Sequence, residues 1–235
     1  MRIKNVCVLG GSGFVGSSLV ERLDEAGYQV KVLTRRRDRA KHLFLLPKVQ
    51  VVECDVMDDV ALAREISASD AVINLIGILH ESGKLSFDSV HHQLPSRLVN
   101  ICRKHGVRRL LHMSALQAGP DAPSAYLCSK GEGETVVMAA QSEQFNISVF
   151  RPSVIFGRDD RFINLFASLV KLLPVVLLHR HYDDAIGSLV DRLERYRRVA
   201  AQAPEYAMAL ESMREKDGRL GPLIEILPIR AKRVG

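Results

Sequence analysis

Ser114, Tyr126 and Lys130 carry side chains that can handle a proton beside a carbonyl group. In Tyr126-Leu127-Cys128-Ser129-Lys130 the phenol and the ammonium stand at positions i and i+4, the spacing that shares one face of a helix. A phenol titrates near pH 10 and is a poor acid–base group at neutral pH, whereas a nearby ammonium favours the phenolate. Ser114 closes the run Leu111-His112-Met113-Ser114-Ala115, which reads as a strand and its exit, so its hydroxyl can hold a carbonyl oxygen. The pattern Y-x-x-x-K recurs by chance. It gains specificity from a strand-end serine before it and a glycine turn at the start of the chain.

That turn is Gly10-Gly11-Ser12-Gly13-Phe14-Val15-Gly16, which follows an apolar run and opens an apolar-periodic helix (Phe14, Val15, Leu19, Leu23). Gly10 lets the chain reverse. Gly13 lets the backbone approach a pyrophosphate with no Cβ in the way, and Gly16 lets helix and strand pack closely. Ser12, Phe14 and Val15 complete the cradle. Its anion sits on the unpaired N–H groups and the positive dipole end of the helix.

The elements that must position these residues alternate. Apolar runs at residues 4–9, 29–34, 49–53, 71–76, 109–113 and 147–150 read as strands. Residues 14–25, 39–45, 60–66, 89–104, 124–142 and 162–172 read as helices. Continuous Val/Ile/Leu strands are covered on both faces, and short strand–helix links imply right-handed crossovers and a parallel sheet. The expected fold is α/β, a Rossmann-type doubly wound parallel sheet, with residues 1–178 as the nucleotide-binding domain. Ligands of such sheets lie at the carboxyl ends of the strands.

Each strand exit can then be read for chemistry. After the second strand stand Arg35, Arg36 and Arg37, which suit a 2′-phosphate and favour NADP(H) over NAD(H). The alternative is a solvated charge run, and Asp38 keeps NAD(H) open. After the third stand Asp55 and Val56. The carboxylate either accepts from an adenine amino group or caps the helix containing Val60. After the fourth, Asn74 and Gly77 leave room for a cofactor ribose, or Asn74 satisfies a turn. His91 and His92 read as a helix-surface pair.

These residues resemble the short-chain dehydrogenase/reductase superfamily, through the glycine turn, Asp55, Asn74, Ser114, Tyr126 and Lys130. The closer likeness is to an atypical branch, the nucleotide-binding accessory subunit of respiratory complex I and its bacterial homologues. It rests on Phe14-Val15-Gly16, Ile73-Asn74-Leu75-Ile76-Gly77, Leu111-His112-Met113-Ser114-Ala115-Leu116, Ser129-Lys130-Gly131-Glu132 and Arg151-Pro152-Ser153-Val154-Ile155-Phe156-Gly157. In related proteins the last of these passes the nicotinamide end, which implies cofactor contacts for Pro152 and Val154. In dehydrogenase members the resemblance implies that Tyr126 is the acid–base, that Lys130 orients the ribose and lowers the tyrosine pKa, and that Ser114 positions the carbonyl. In the accessory branch it implies tight NADP(H) binding and service to a respiratory or quinone-related membrane complex.

Composition narrows the partners. The chain of 235 residues is 47% hydrophobic with a net charge of +6. Its bases are interleaved with acids and only 6% of residues are aromatic, which argues against nucleic acid. A dinucleotide phosphate or an anionic membrane surface accounts for the excess. Cys7, Cys54, Cys102 and Cys128 show no metal spacing and read as reduced thiols, so no metal is expected. The apolar run at residues 4–9 is too short for a signal peptide and residues 165–178 too short for a span, so the expected place is cytoplasmic, peripheral at the inner face of a membrane. Residues 165–178 read as core, or as an apolar face against a membrane or partner. From His179 the resemblance stops. Residues 179–235 read as a helical C-terminal extension, with Leu189, Leu193 and Tyr196 on one face and Pro204 opening a second helix.

Overall fold

The computed structural model describes residues 3–83, 85–153 and 155. Strand β1 (Asn5–Leu9) lies near the middle of a six-stranded sheet. Around it stand β2 (Gln29–Thr34), β3 (Val49–Glu53), β4 (Ala71–Asn74), β5 (Arg109–Met113) and β6 (Asn146–Phe150). The order is β3-β2-β1-β4-β5-β6 and every pair is parallel. In register, Val6 stands beside Val30 on one side and Ala71 on the other.

Alternation along β1 explains why the strand reads as continuously apolar. Val6 and Val8 pack on one face with Val20, Val32 and Leu43. Cys7 and Leu9 pack on the other with Val72, Leu98 and Leu110. Both faces are buried because the crossovers return over opposite sides. Those crossovers are α1 (Phe14–Glu25), a 3-10 segment kinked at Ala40 (Arg37–Leu45), α2 (Asp59–Ile66), α3 (Leu94–Lys104) and α4 (Ala125–Ala139). The chain leaves β1 for β2 on one side and leaves β4 for β5 on the other. The crevice of the sheet therefore opens at the ends of β1 and β4, beside Gly10 and Asn74.

Two expectations are corrected by local structure. The residue that caps α2 is Asp58, whose Oδ1 accepts from the N–H groups of Val60 (2.9 Å) and Ala61 (3.2 Å). Asp55 instead accepts from Met57 N in the preceding turn, at 3.0 Å, so it is not the cap. The second correction concerns the helix expected over residues 89–104. It begins as a π-helical turn, Asp88–Gln93, and becomes α3 only at Leu94. The wide i→i+5 turn shifts the helical phase and swings His91 inward. His91 is 1% exposed, so it is not a surface residue, while His92 stays half-exposed and bonded to Asp88.

All four cysteines are free thiols. Among the described residues no helix is long and apolar enough to cross a membrane. Val154, the helix expected at residues 162–172, the apolar stretch at 165–178 and the extension at 179–235 lie outside the described residues.

Candidate functional site

The glycine turn separates into positions that the protein itself constrains severely and one that it constrains less. Gly10 has φ +80°, a left-handed conformation that favours glycine, and its carbonyl accepts from Gly13 N at 3.0 Å. A Cβ on Gly16 would collide with the Gly10 carbonyl oxygen and stand 2.6 Å from Gly11 Cα. One on Gly11 would stand 2.9 Å from Val32 Cγ1. Gly13 differs. Its backbone is extended (φ −85°, ψ 176°), it is exposed, and a Cβ there would meet only the Gly10 carbonyl oxygen at 3.3 Å. Gly13 is also the N-cap of α1, where Ser, Thr, Asp or Asn would ordinarily bond the free N–H groups. Among the described residues no side chain caps this helix, and no acidic residue lies in its first turn. Phe14 and Val15 open it, half-buried.

At the end of β2, Ser12 Oγ lies 3.3 Å from Thr34 Oγ1, joining the turn to the strand exit. Arg36 then closes its fork on Asp38, at 3.2 Å from Nε and 2.7 Å from NH2. The hydrogen bond from Arg36 holds the Asp38 carboxyl below the usual carboxylate range. Arg35 is exposed beside this pair. Asp55, at the end of β3, is exposed, while the Val56 side chain belongs to the core.

Asn74 is buried at the end of β4, and its turn role holds: Oδ1 accepts from Ile76 N at 3.1 Å. That bond fixes the amide, so Nδ2 is the atom 3.2 Å from His112 Nδ1. A donor-only Nδ2 makes His112 Nδ1 an acceptor. Burial pushes the His112 pKa down to about 3, so the ring is neutral and its proton sits on Nε2. Among the described residues that N–H has no partner. Ser114, two residues further on and just past the end of β5, is also buried, and its Oγ likewise has no partner among the described residues. Orphaned buried polar atoms are uncommon and costly, and they mark where a ligand group or a water supplies the missing bond.

Helix α4 brings up Tyr126 and Lys130. Ser124 caps it through a bond from Leu127 N at 3.3 Å. Lys130 is 4% exposed and donates to the Met113 carbonyl oxygen at 2.6 Å. Burial lowers its pKa to about 8, with Glu134 pulling it back up. Glu134 is in turn clasped by Arg151 just past β6. Pro152 accepts there from Leu116 N at 2.7 Å. Gly77 closes the far side. A Cβ on it would stand 3.6 Å from both His91 Nε2 and Lys130 Nζ.

Tyr126 departs from the expectation that an ammonium lowers its pKa. Burial raises it instead, because the ring is enclosed by Phe87 (centroids 6.0 Å apart) and His91 (5.3 Å) while the Lys130 ammonium is engaged with a carbonyl. In this state the phenol is a proton donor. Sequence reasoning passed over Phe87, His112, Ser129 and Glu134. The findable signal was alternation for His112, two residues from Ser114 and so on the same face of β5.

The six-stranded parallel sheet with this glycine turn defines a Rossmann-type nucleotide-binding fold. The chain belongs to the NAD dependent epimerase/dehydratase family, whose pattern matches residues 6–179. Among curated proteins it is 34% identical over 173 residues to the mitochondrial NADH dehydrogenase (ubiquinone) 1 alpha subcomplex subunit 9 of Dictyostelium discoideum, covering 72% of this chain and 47% of that protein. It is 35% identical to the Mus musculus protein of the same name, covering 73% and 46%. A ceramide reductase of Caulobacter vibrioides is 30% identical, over 79% of this chain and 59% of that one. The chain spans about half the length of the complex I subunits it matches. In solved structures the fold recurs in the Bordetella bronchiseptica enzyme WbmH in complex with NAD+, with TM-score 0.60 and 21% identity over 72% of this chain and 64% of that one. It recurs too in the UDP-glucuronic acid 4-epimerase of Bacillus cereus in complex with NAD, with TM-score 0.60 and 20% identity over 71% and 64%.

Proposed function

We propose that this chain holds a nicotinamide dinucleotide, NADP(H) in preference to NAD(H), as an accessory subunit of the complex I type. It docks from the cytoplasmic side as a peripheral partner of a respiratory or quinone-related membrane complex. The observation that carries the binding is Gly13. A side chain there would meet one close backbone contact, the Gly10 carbonyl oxygen at 3.3 Å, and no side chain among the described residues caps α1, so an anionic ligand approaching a bare turn accounts for both. Gly10, Ser12, Phe14, Val15 and Gly16 shape the cradle. Arg35 and Arg36 supply cations for a 2′-phosphate, and Asp55, Asn74, Gly77 and Pro152 line the remaining course of the cofactor. The names of the complex I relatives support the docking partner.

Native mass spectrometry of the purified protein tests this reading, with Gly13→Ala as the control. The wild type carries a mass increment of NADP(H); the variant melts at the same temperature and carries none. A wild type that binds neither dinucleotide at about 1 mM overturns it.

The orphaned Ser114 hydroxyl favours a second reading, an NADP(H)-dependent oxidoreductase acting on a carbonyl or quinone-like substrate. A bound reduced nicotinamide supplies a hydride. Ser114 Oγ donates to the substrate oxygen, neutral Tyr126 gives it a proton, and Lys130 holds the ribose. Tyr126→Phe then abolishes turnover and leaves cofactor affinity unchanged. No difference in NADPH oxidation between wild type and variant, across a panel of carbonyls and quinones, removes this reading.

A further inference from the structure

His91 is the most connected side chain of the site. Its Nε2 lies 3.0 Å from Ile78 N. A backbone N–H can only donate, so Nε2 must accept and carries no proton. A neutral ring then has its proton on Nδ1, which lies 2.9 Å from Ser129 Oγ. Ser129 receives that proton's bond and passes its own to the Tyr126 carbonyl oxygen, 2.9 Å away. Every donor along this path has one acceptor, and each bond has one direction.

The ring is fixed from its faces as well. Phe87 stacks on it, with centroids 5.5 Å apart and planes at 19°, and Tyr126 meets it edge-on at 87°. Its own backbone is pressed against α4. A Cβ on Gly133 would collide with the His91 carbonyl oxygen and stand 2.9 Å from its carbonyl carbon. A protonated ring would turn Nε2 into a second donor facing Ile78 N–H. Burial and Lys130 oppose that charge and lower the His91 pKa to about 4.

We propose that His91 is the positioning residue of this site: a neutral Nδ1–H imidazole that locks Tyr126 and the loop after β4 into one unit. It does so through the one-way path Ile78 N–H to Nε2, Nδ1–H to Ser129 Oγ, and Ser129 Oγ–H to the Tyr126 carbonyl. His91 has two arms, one to the Gly77–Ile78 loop beside the cofactor and one, through Ser129, to the backbone carbonyl of Tyr126, whose ring it also meets edge-on. It gives and takes no proton itself. The inference rests on the reading of Tyr126 and Gly77 as site residues.

The test uses nitrogen NMR of the imidazole and carbon NMR of labelled tyrosine in the full chain without ligand, so it stands apart from whether a dinucleotide binds. In the wild type His91 shows the signature of the Nδ1–H tautomer. Three variants dissect the arms. His91→Phe keeps the ring and loses both bonds. His91→Asn can reach Ser129 only, and His91→Gln can reach Ile78 only. Tyr126 ring flipping speeds by about tenfold in the Phe and Gln variants and stays near wild type in the Asn variant. NADPH affinity, where binding is seen, falls by about tenfold in Phe and Asn, which both free the loop. An Nε2–H tautomer in the wild type overturns the proposal, and that measurement needs no variant to fold. Equal Tyr126 dynamics in all three variants also overturns it.

Discussion

Asn74 Nδ2 donates to His112 Nδ1 across the β4–β5 ladder at 3.2 Å, and the same bond strands a proton on Nε2 where nothing among the described residues accepts it. The neutral state of His112 is thus imposed by its neighbour as well as by burial. With His91 it makes a second neutral imidazole in the interior of the site.

Acid should unfold this protein through these two rings. An unfolded histidine titrates near 6.5, whereas His91 is lowered to about 4 and His112 to about 3. Between those values the unfolded chain binds more protons than the folded one. The stability is therefore complete above pH 6.5 and is lost as pH falls to about 4 for His91 and about 3 for His112. At about pH 4.5 each ring should have cost roughly 2 to 3 kcal/mol. Urea melts from about pH 7 down to about 4.5 measure this, and His112→Phe should flatten the slope. A flat profile in the wild type would show that the rings are not held neutral.

Removing the Ser114 hydroxyl should make the ligand-free protein more stable. The group is buried without a partner among the described residues, so Ser114→Ala relieves a desolvation cost of about 1 kcal/mol. Paired thermal melts give the sign. The variant should be slower if a carbonyl is turned over, a trade of activity against stability at one atom. A lower melting temperature for the variant contradicts the orphaned state.

Gly16→Ala should not yield folded protein, because the new methyl group would have to displace backbone at Gly10 and Gly11. Overpacking of that kind costs about 3 kcal/mol or more. Circular dichroism and soluble yield report it directly. A Gly16→Ala protein that melts like the wild type would mean that the turn can open.

Thiol labelling should find one reactive cysteine in the native protein and four after unfolding. Cys7, Cys54 and Cys102 are buried, and burial pushes Cys7 and Cys102 up to about 12. Only Cys128 is partly exposed. Rapid reaction of a second thiol without denaturant would disprove this packing.

The sheet was legible because buried parallel strands write themselves as unbroken Val, Ile and Leu, and the glycine turn because its spacing follows from backbone contact. His91 was not, because reading a helix assumes a period of 3.6 residues and the π turn at Asp88–Gln93 breaks it. Its burial also depends on partners from two distant segments, the Ser129 hydroxyl that accepts from Nδ1 and the Ile78 N–H that donates to Nε2, which no local pattern announces. Asp55 and Asp58 both had the chemistry of a cap. Only the backbone path of the turn decides which carboxylate reaches Val60 and Ala61. The tyrosine pKa was misjudged for a related reason: four-residue spacing places Lys130 on the right face but does not say that its ammonium will be claimed by Met113.

The order β3-β2-β1-β4-β5-β6 also sets a timetable for the growing chain. As the ribosome delivers residues in sequence, β2 can pair with β1 and β3 with β2 early, but the other edge of β1 stays open until Ala71–Asn74 emerges. Through that interval Val6, Val8 and Leu9 offer an unpaired apolar strand, the kind of edge that recruits a neighbouring chain. Arrival of β4 closes the edge and forms the crevice of the sheet in the same step, so the nascent chain has no nucleotide cleft before it has a sealed sheet centre.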